Sequence, residues 1–254
     1  MKKLIGFGAV ALCAAVACAD VQSANIVGYI DKGLNKNFTA CGSSFITIGV
    51  EGMKLTTIKP KGIPAMSNGQ IQIQVLDNLG NATKTYKYYQ GSKVKAFATD
   101  GWYDNTTLIT SENDVTFMPG QGLWVKGTID NTGITTAGEV SFDDVQKQLN
   151  VNFVMLCNPF PQQIKLSKNI KAGGLAATSN GQVQIQELDN LGNATKTYKY
   201  YQGSKVKAFA TDGWYLNTTL ITAENDVTFE PGQGLWVKGS IASATLTFTL
   251  NEEN

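Results

Sequence analysis

Histidine and arginine are both missing from the 254 residues, so all 21 basic residues are lysines. Without histidine the commonest general base and zinc ligand is gone, and with it the usual nucleophilic triads and metalloprotease helices. Without arginine there is no planar fork to grip a phosphate, a carboxylate or a guanine edge in two places. The 20 acidic residues nearly cancel the lysines, and no polybasic stripe remains to attract nucleic acid or anionic lipid. Nucleic acid is therefore not an expected partner. Cysteine is also scarce: of four, Cys13 and Cys18 lie in the first eighteen residues, leaving Cys41 and Cys157.

Those first residues carry Lys2 and Lys3, then an apolar run from Leu4 to Ala17, then the small-x-small pattern Ala17-Cys18-Ala19. The run is too short for a membrane span and has the anatomy of a secretory signal. Cleavage is expected after Ala19, with Ser23 as the second choice. A lipid anchor on Cys18 fits less well, because Ala15 stands where that signal takes a large aliphatic residue. Removing residues 1–19 takes away two lysines and no acids, leaving 19 basic and 20 acidic residues. No later apolar run is long enough to cross a bilayer. The expected destination is outside the cell or on its surface.

What is abundant is turn and strand chemistry. Glycine numbers 26, and threonine, asparagine, glutamine and serine are plentiful, while only 16% of residues are charged. The dominant feature is a repeat. Residues 67–127 and 179–239 align without a gap over 61 positions and differ at five: Ile71/Val183, Val75/Glu187, Asp104/Leu216, Ser111/Ala223 and Met118/Glu230. Upstream the match loosens, with "LNKNFTACGSSF" (34–45) answering "LNVNFVMLCNPF" (149–160) and "KLTTIK" (54–59) answering "KLSKNIK" (165–171). The near-identity extends to lysines with every sign of exposure, so it reads as recent duplication and carries no weight as a mark of function.

The hydrophobic period within the repeat is two. "QIQIQV" (70–75) sets Ile71, Ile73 and Val75 on one face and three glutamines on the other. "DNLGN" (77–81) turns the chain and "ATKTYKYY" (82–89) returns, a hairpin. "FITIGV" (45–50), "KVKAFA" (93–98), "DVTF" (114–117) and "GLWVK" (122–126) read as further short strands, and "SFDDVQKQL" (141–149) as the one helix-like window. The expected fold is all-β: two tandem antiparallel β-sandwich or small-barrel modules, at 20–137 and 138–254, after the signal at 1–19. "ITTAGEVSF" (134–142) resembles both the start of the first module and the close of the second, which suggests one strand serving both.

Chemistry-bearing residues are few. Asp100, Asp104, Glu112 and Asp114 are the carboxylates a hydrolase would need, but Asp104 becomes Leu216 in the second copy and the others sit beside turn residues. No catalytic residue, cofactor or metal is assigned. "DNLGN" offers closely spaced oxygens, yet lacks the longer ligand run of a calcium loop, and a tight hairpin needs those same residues. The aromatic clusters are the binding candidates: Trp102, Tyr103 and Trp124, with Trp214, Tyr215 and Trp236 in the second copy. On a rigid β face they would stack on sugar rings; inside a small module the same rings would form its core. In "GLWVK" alternation sets Leu123 and Val125 inward and Trp124 outward, and whether Trp124 and Trp236 meet solvent is the open question. Cys41 and Cys157, read as equivalent positions, either form a disulfide between the modules or stay as two buried thiols.

"ANIVGYI" after the signal, "FVMLCNPFP" followed by "IKLS", "GQVQIQELDNLGNATKTYKYY", "GWY" and "PGQGLWVK" together resemble a group of secreted bacterial β-rich proteins. Similar modules ending in Pro-Gly-x-Gly-aromatic-Trp-Val recur in bacterial surface proteins. The resemblance implies secretion and a β fold and carries over no catalytic residue. In the first module "FITIGVEG" stands where the second has the fuller "CNPFP". The expected role is structural or adhesive and non-enzymatic, with a cell-surface glycan or another surface protein as partner. The alternative is a carbohydrate-binding protein with one aromatic platform per module.

Overall fold

The computed structural model describes residues 27–34, 36–77, 79–189 and 191–250; the signal segment expected at 1–19 lies outside the described residues. In the first half the strands are β1 (Val27–Gly33), β2 (Thr39–Gly42), β3 (Met53–Lys54), β4 (Lys59–Lys61), β5 (Ser67–Leu76) and β6 (Ala82–Gln90). There follow β7 (Gly101–Asp104), β8 (Thr107–Leu108), β9 (Thr116–Phe117), β10 (Gly122–Gly127) and β11 (Gly133–Glu139). The second half begins with β12 (Val145–Gln148), β13 (Phe153–Cys157), β14 (Ile164–Lys165), β15 (Ile170–Gly173), β16 (Ser179–Leu188) and β17 (Ala194–Gln202). It ends with β18 (Gly213–Leu216), β19 (Thr219–Leu220), β20 (Thr228–Phe229), β21 (Gly234–Gly239) and β22 (Thr245–Phe248).

Every pairing is antiparallel, and the halves use one plan. A six-stranded sheet in the order β2-β10-β5-β6-β7-β8 is matched by β13-β21-β16-β17-β18-β19. A three-stranded sheet, β1-β11-β4, is matched by β12-β22-β15, and two-stranded pieces β3-β9 and β14-β20 complete each half. Ile71, Ile73, Tyr86, Trp102 and Val125 from the large sheet share one apolar cluster with Ile134 from the small one. Each half is thus two facing layers with its own core; the second core holds Val183, Ile185, Tyr198, Trp214, Val237 and Leu246. The glutamines of "QIQIQV" stay half-exposed while Ile71 and Ile73 are fully buried, as period two requires. Neither large sheet closes into a barrel.

Three local expectations are corrected. "FITIGV" is a turn and not a strand: Thr47 N–H donates to Gly52 C=O at 2.8 Å, Gly49 takes a positive φ of 74°, and only Ile46 makes a bridge, to Glu139. "KVKAFA" carries a 3-10 turn at Lys95–Phe97, closed by Phe97 N–H to Val94 C=O at 2.8 Å. The helix-like window 141–149 contains β12, whose residues pair with Thr245–Phe248 about a hundred positions away, a pairing no local period can announce. That strand also removes the case for a shared one. Among the described residues β11 pairs with β1, with β4 and, at Glu139, with Ile46, all in the first half, and β12 with β22 supplies the same layer to the second half. The boundary expected after residue 137 falls inside β11, which runs to Glu139.

Candidate functional site

The two expected aromatic platforms are interior. Trp102 is 2% exposed; its indole N–H donates to Ile58 C=O at 3.0 Å and its ring stands edge-on to Tyr88. Trp214 repeats this with Ile170 C=O at 2.9 Å and Tyr200. Tyr103 and Tyr215 are each 3% exposed, because the 3-10 turn folds its phenylalanine over them. Phe97 stacks on Tyr89 at 3.9 Å with 7° between planes, and both rings meet Tyr103 edge-on. The Tyr103 hydroxyl donates to Thr99 C=O at 2.7 Å, closing the loop from below. Burial with satisfied polar ends is the chemistry of a core, so these four residues offer no face to a sugar.

Trp124 and Trp236 behave otherwise. Leu123 and Val125 point into the first core, which turns Trp124 to the opposite face of the sheet. There it meets Trp236 of the second half, edge to face, at 6.0 Å and 87°. Phe38 packs edge-on to Trp124 and Phe153 to Trp236, with Lys126 and Lys238 lying over those phenylalanines. Among the described residues, neither buried indole N–H of this pair finds an acceptor. The two rings also cross over. A Cβ placed on Gly192, in the second hairpin turn, would lie 2.5 Å from Trp124, and one on Gly80 would lie 2.8 Å from Trp236. Each half's tryptophan therefore covers the other half's turn.

The Pro-Gly-Gln-Gly segments latch this seam. Gln121 N–H closes a turn onto Met118 C=O at 2.9 Å, with Gly120 at φ 76°. The turn presents Gly120 C=O to Cys157 N–H at 3.0 Å, and Gly232 C=O receives Gly42 N–H at 2.9 Å in the reciprocal contact. Single bridges Cys41 to Gln233 and Gln121 to Leu156 flank these bonds. The repeated "PGQGLWVKG" is thus a clasp between halves, made twice by reciprocal contacts about one pseudo-two-fold axis.

The cysteine expectation needs correcting on register. Cys41 pairs with Leu123 and Gly42 with Gly122, whereas Leu156 pairs with Leu235 and Cys157 with Gly234. Cys157 therefore matches Gly42, not Cys41. One step along a strand reverses the side chain, so Cys41 belongs to the first core while Cys157 enters the seam beside Gly42. Both thiols are free and buried. Burial pushes Cys41 up to about 11 and Cys157 higher still. The Cys157 thiol donates weakly to Gln121 C=O at 3.4 Å.

Three of the four carboxylates considered for catalysis, Asp100, Asp104 and Asp114, serve turns and pairs. Asp100 accepts Gly91 N–H at 2.7 Å, Asp104 pairs with Lys84 at 2.7 Å, and Asp114 accepts the Thr56 hydroxyl and N–H. Asp77 accepts chiefly the backbone N–H groups of its hairpin turn, and Asp189 chiefly the Asn193 side-chain amide and then the backbone N–H groups, which holds both carboxyls below the usual range.

One arrangement was not read from the sequence. Between the small sheet and β7, a concavity of about 210 Å³ is lined by Thr56, Ile58, Lys59, Tyr88, Asp100 and Trp102. Its counterpart, of about 400 Å³, is lined by Ser167, Ile170, Lys171, Tyr200, Asp212 and Trp214. The signal lay in the looser upstream match. Thr57, Pro60 and Lys61 give way to Lys168, Ala172 and Gly173, yet the hydroxyl, the isoleucine and the lysine of the lining persist. Comparison of the chain with protein-family models, with curated proteins and with solved structures finds no match to any of them.

Proposed function

We propose that the protein is a non-enzymatic structural or adhesive component that works outside the cytoplasm, at the cell surface or beyond it. The observation that carries this reading is the clasp: two β halves locked by reciprocal backbone bonds at 2.9 and 3.0 Å and by the Trp124–Trp236 contact. Locking two halves this way produces a stiff spacer that needs no moving part. The use of Asp100, Asp104 and Asp114 in turns and pairs supports a role without acid–base chemistry. The secretory signal read at 1–19 and the resemblance to secreted bacterial β-rich surface proteins support the location. The test is expression of the full chain with a C-terminal tag in a bacterium, followed by fractionation, external protease treatment of intact cells and mass determination of the exported form. The expected result is a protein outside the inner membrane with its N-terminus at Asp20. A full-length chain retained in the cytoplasm refutes the reading.

A further inference from the structure

The paired concavities gather four kinds of polar group beside a half-buried tyrosine ring. In the second half these are the Lys171 ammonium, the Asp212 carboxylate, the Tyr200 phenol and the Ser167 hydroxyl, above the buried side chains of Ile170 and Trp214, which present no ring face there. Asp212 is fixed by Gly203 N–H at 2.7 Å, and Ser167 by donating to Asp226 at 2.5 Å. Burial, and then the Asp212 charge, raise the Tyr200 phenol, so it stays protonated and able to donate. Its ring is half-buried, standing edge-on to Trp214 at 5.2 Å and 70°. One cation and one anion balance, which gives no preference for phosphate or an acidic sugar. What remains is a mixture of donors and acceptors beside an aromatic wall, within a volume typical of small-molecule sites.

We propose that the second-half pocket binds one neutral pyranose unit of a glycan, and that the first-half pocket is a narrower, weaker copy. The narrowing has a local cause. Thr56 carries one more carbon in the lining than Ser167, and the volume falls from about 400 to about 210 Å³. Hydroxyls of the sugar meet Lys171, Asp212 and Tyr200, and its C–H face lies along the tyrosine ring. Open, shallow pockets of this kind bind weakly one at a time, so two on a stiff body act through avidity. The proposal rests on the adhesive part of the function above and names what is gripped.

The test uses the full mature chain, with glucose, galactose, mannose, N-acetylglucosamine and their short oligomers as probes, read by saturation-transfer NMR and calorimetry. Glucuronate and inorganic phosphate serve as charged controls. Saturable binding of at least one neutral sugar is expected, falling tenfold or more in Lys171→Met and in Asp212→Asn. Ala172→Phe, which fills the mouth, should abolish it; because Ala172 also packs on the core, its thermal midpoint is measured alongside, and Lys171→Met and Asp212→Asn carry the test if that midpoint falls. Ser167→Thr should reduce binding toward that of the first-half pocket. The proposal is overturned by no saturable neutral-sugar binding, by tighter binding of either charged control, or by binding that Ala172→Phe leaves intact. A chain displayed outside the cell that binds no sugar sinks the pocket alone, whereas a chain kept in the cytoplasm sinks the reading beneath it.

Discussion

Two of the five differences between the near-identical segments compensate one another, and that makes a quantitative prediction. Lys84 lies opposite Val75 and pairs with Asp104 on the next strand, at 2.7 Å. In the second half Lys196 lies opposite Glu187 and pairs with it at 3.4 Å, while Leu216 replaces the aspartate and packs on the core. The acid has changed sides, and so has the aliphatic residue. Glu187 also accepts the hydroxyl of Tyr198, a fully buried residue, at 2.5 Å. Glu187→Val removes that charge-assisted bond, worth about 1.5–3 kcal/mol, and a half-exposed ion pair worth about 0–1 kcal/mol. A net loss of about 2 kcal/mol is expected, since the new valine recovers a little. Leu216→Asp alone gives up a half-buried leucine, worth at most about 1.5–3 kcal/mol, and sets a second carboxylate beside Glu187. If the sites were independent the double variant would lose about 4 kcal/mol. Because it rebuilds the first half's arrangement, it should lose about 1 kcal/mol or less. Urea unfolding of all four proteins, with unchanged m-values as a control, gives the cycle. Additivity within about 0.5 kcal/mol would show that the residues are uncoupled and refute the reasoning.

Other perturbations test the remaining assignments. Trp102→Ala and Trp214→Ala should each destabilise by about 3–5 kcal/mol in denaturant titrations, the cost of emptying a core ring site; a stable variant would return the ring to the surface. Native protein should leave a thiol-reactive dye unchanged at pH 8 and release two equivalents after denaturation, with identical mobility on reducing and non-reducing gels. Gly192→Ala, strained at φ 83° and colliding with Trp124, should cost about 1–3 kcal/mol, and less in a Trp124→Leu background; an equal cost in both would break the cross-half contact. The Asp77 and Asp189 carboxyls are held below their ordinary value of 3.8, so their contribution is complete above that value and is lost as pH falls through the lower folded value. Replacing both with asparagine should flatten the acid limb of a stability–pH curve between pH 5 and 2, roughly the window the shift defines.

Period-two alternation was enough to place β5 and β10 with their inward residues, because each shows its buried face in its own letters, and the turn before it placed β6 as the returning strand. β12 was hidden because its partner is far along the chain and its own sequence alternates weakly. The seam was hidden for a deeper reason. A residue facing away from its core looks the same whether water or a second sheet lies beyond, so Trp124 could be placed outward but not against Trp236. The cysteine error shows how sharp that limit is: an alignment shifted by one residue moved a thiol from core to seam. The lysine of the concavity needed no geometry to be noticed, only attention to what survives where the halves diverge.

The pairing of Cys157 with Gly42 sets a condition on assembly. A Cβ on Gly42 would sit 2.4 Å from the Cys157 sulfur, so this point of the clasp admits one thiol and one hydrogen atom. Two separate copies of the first half meeting here would leave a gap, and two copies of the second would collide. A homodimer must carry every change twice, once on each side of its axis. Joining the partners in one chain removes that constraint, so the axis can be filled by unlike residues and the union no longer depends on protein concentration.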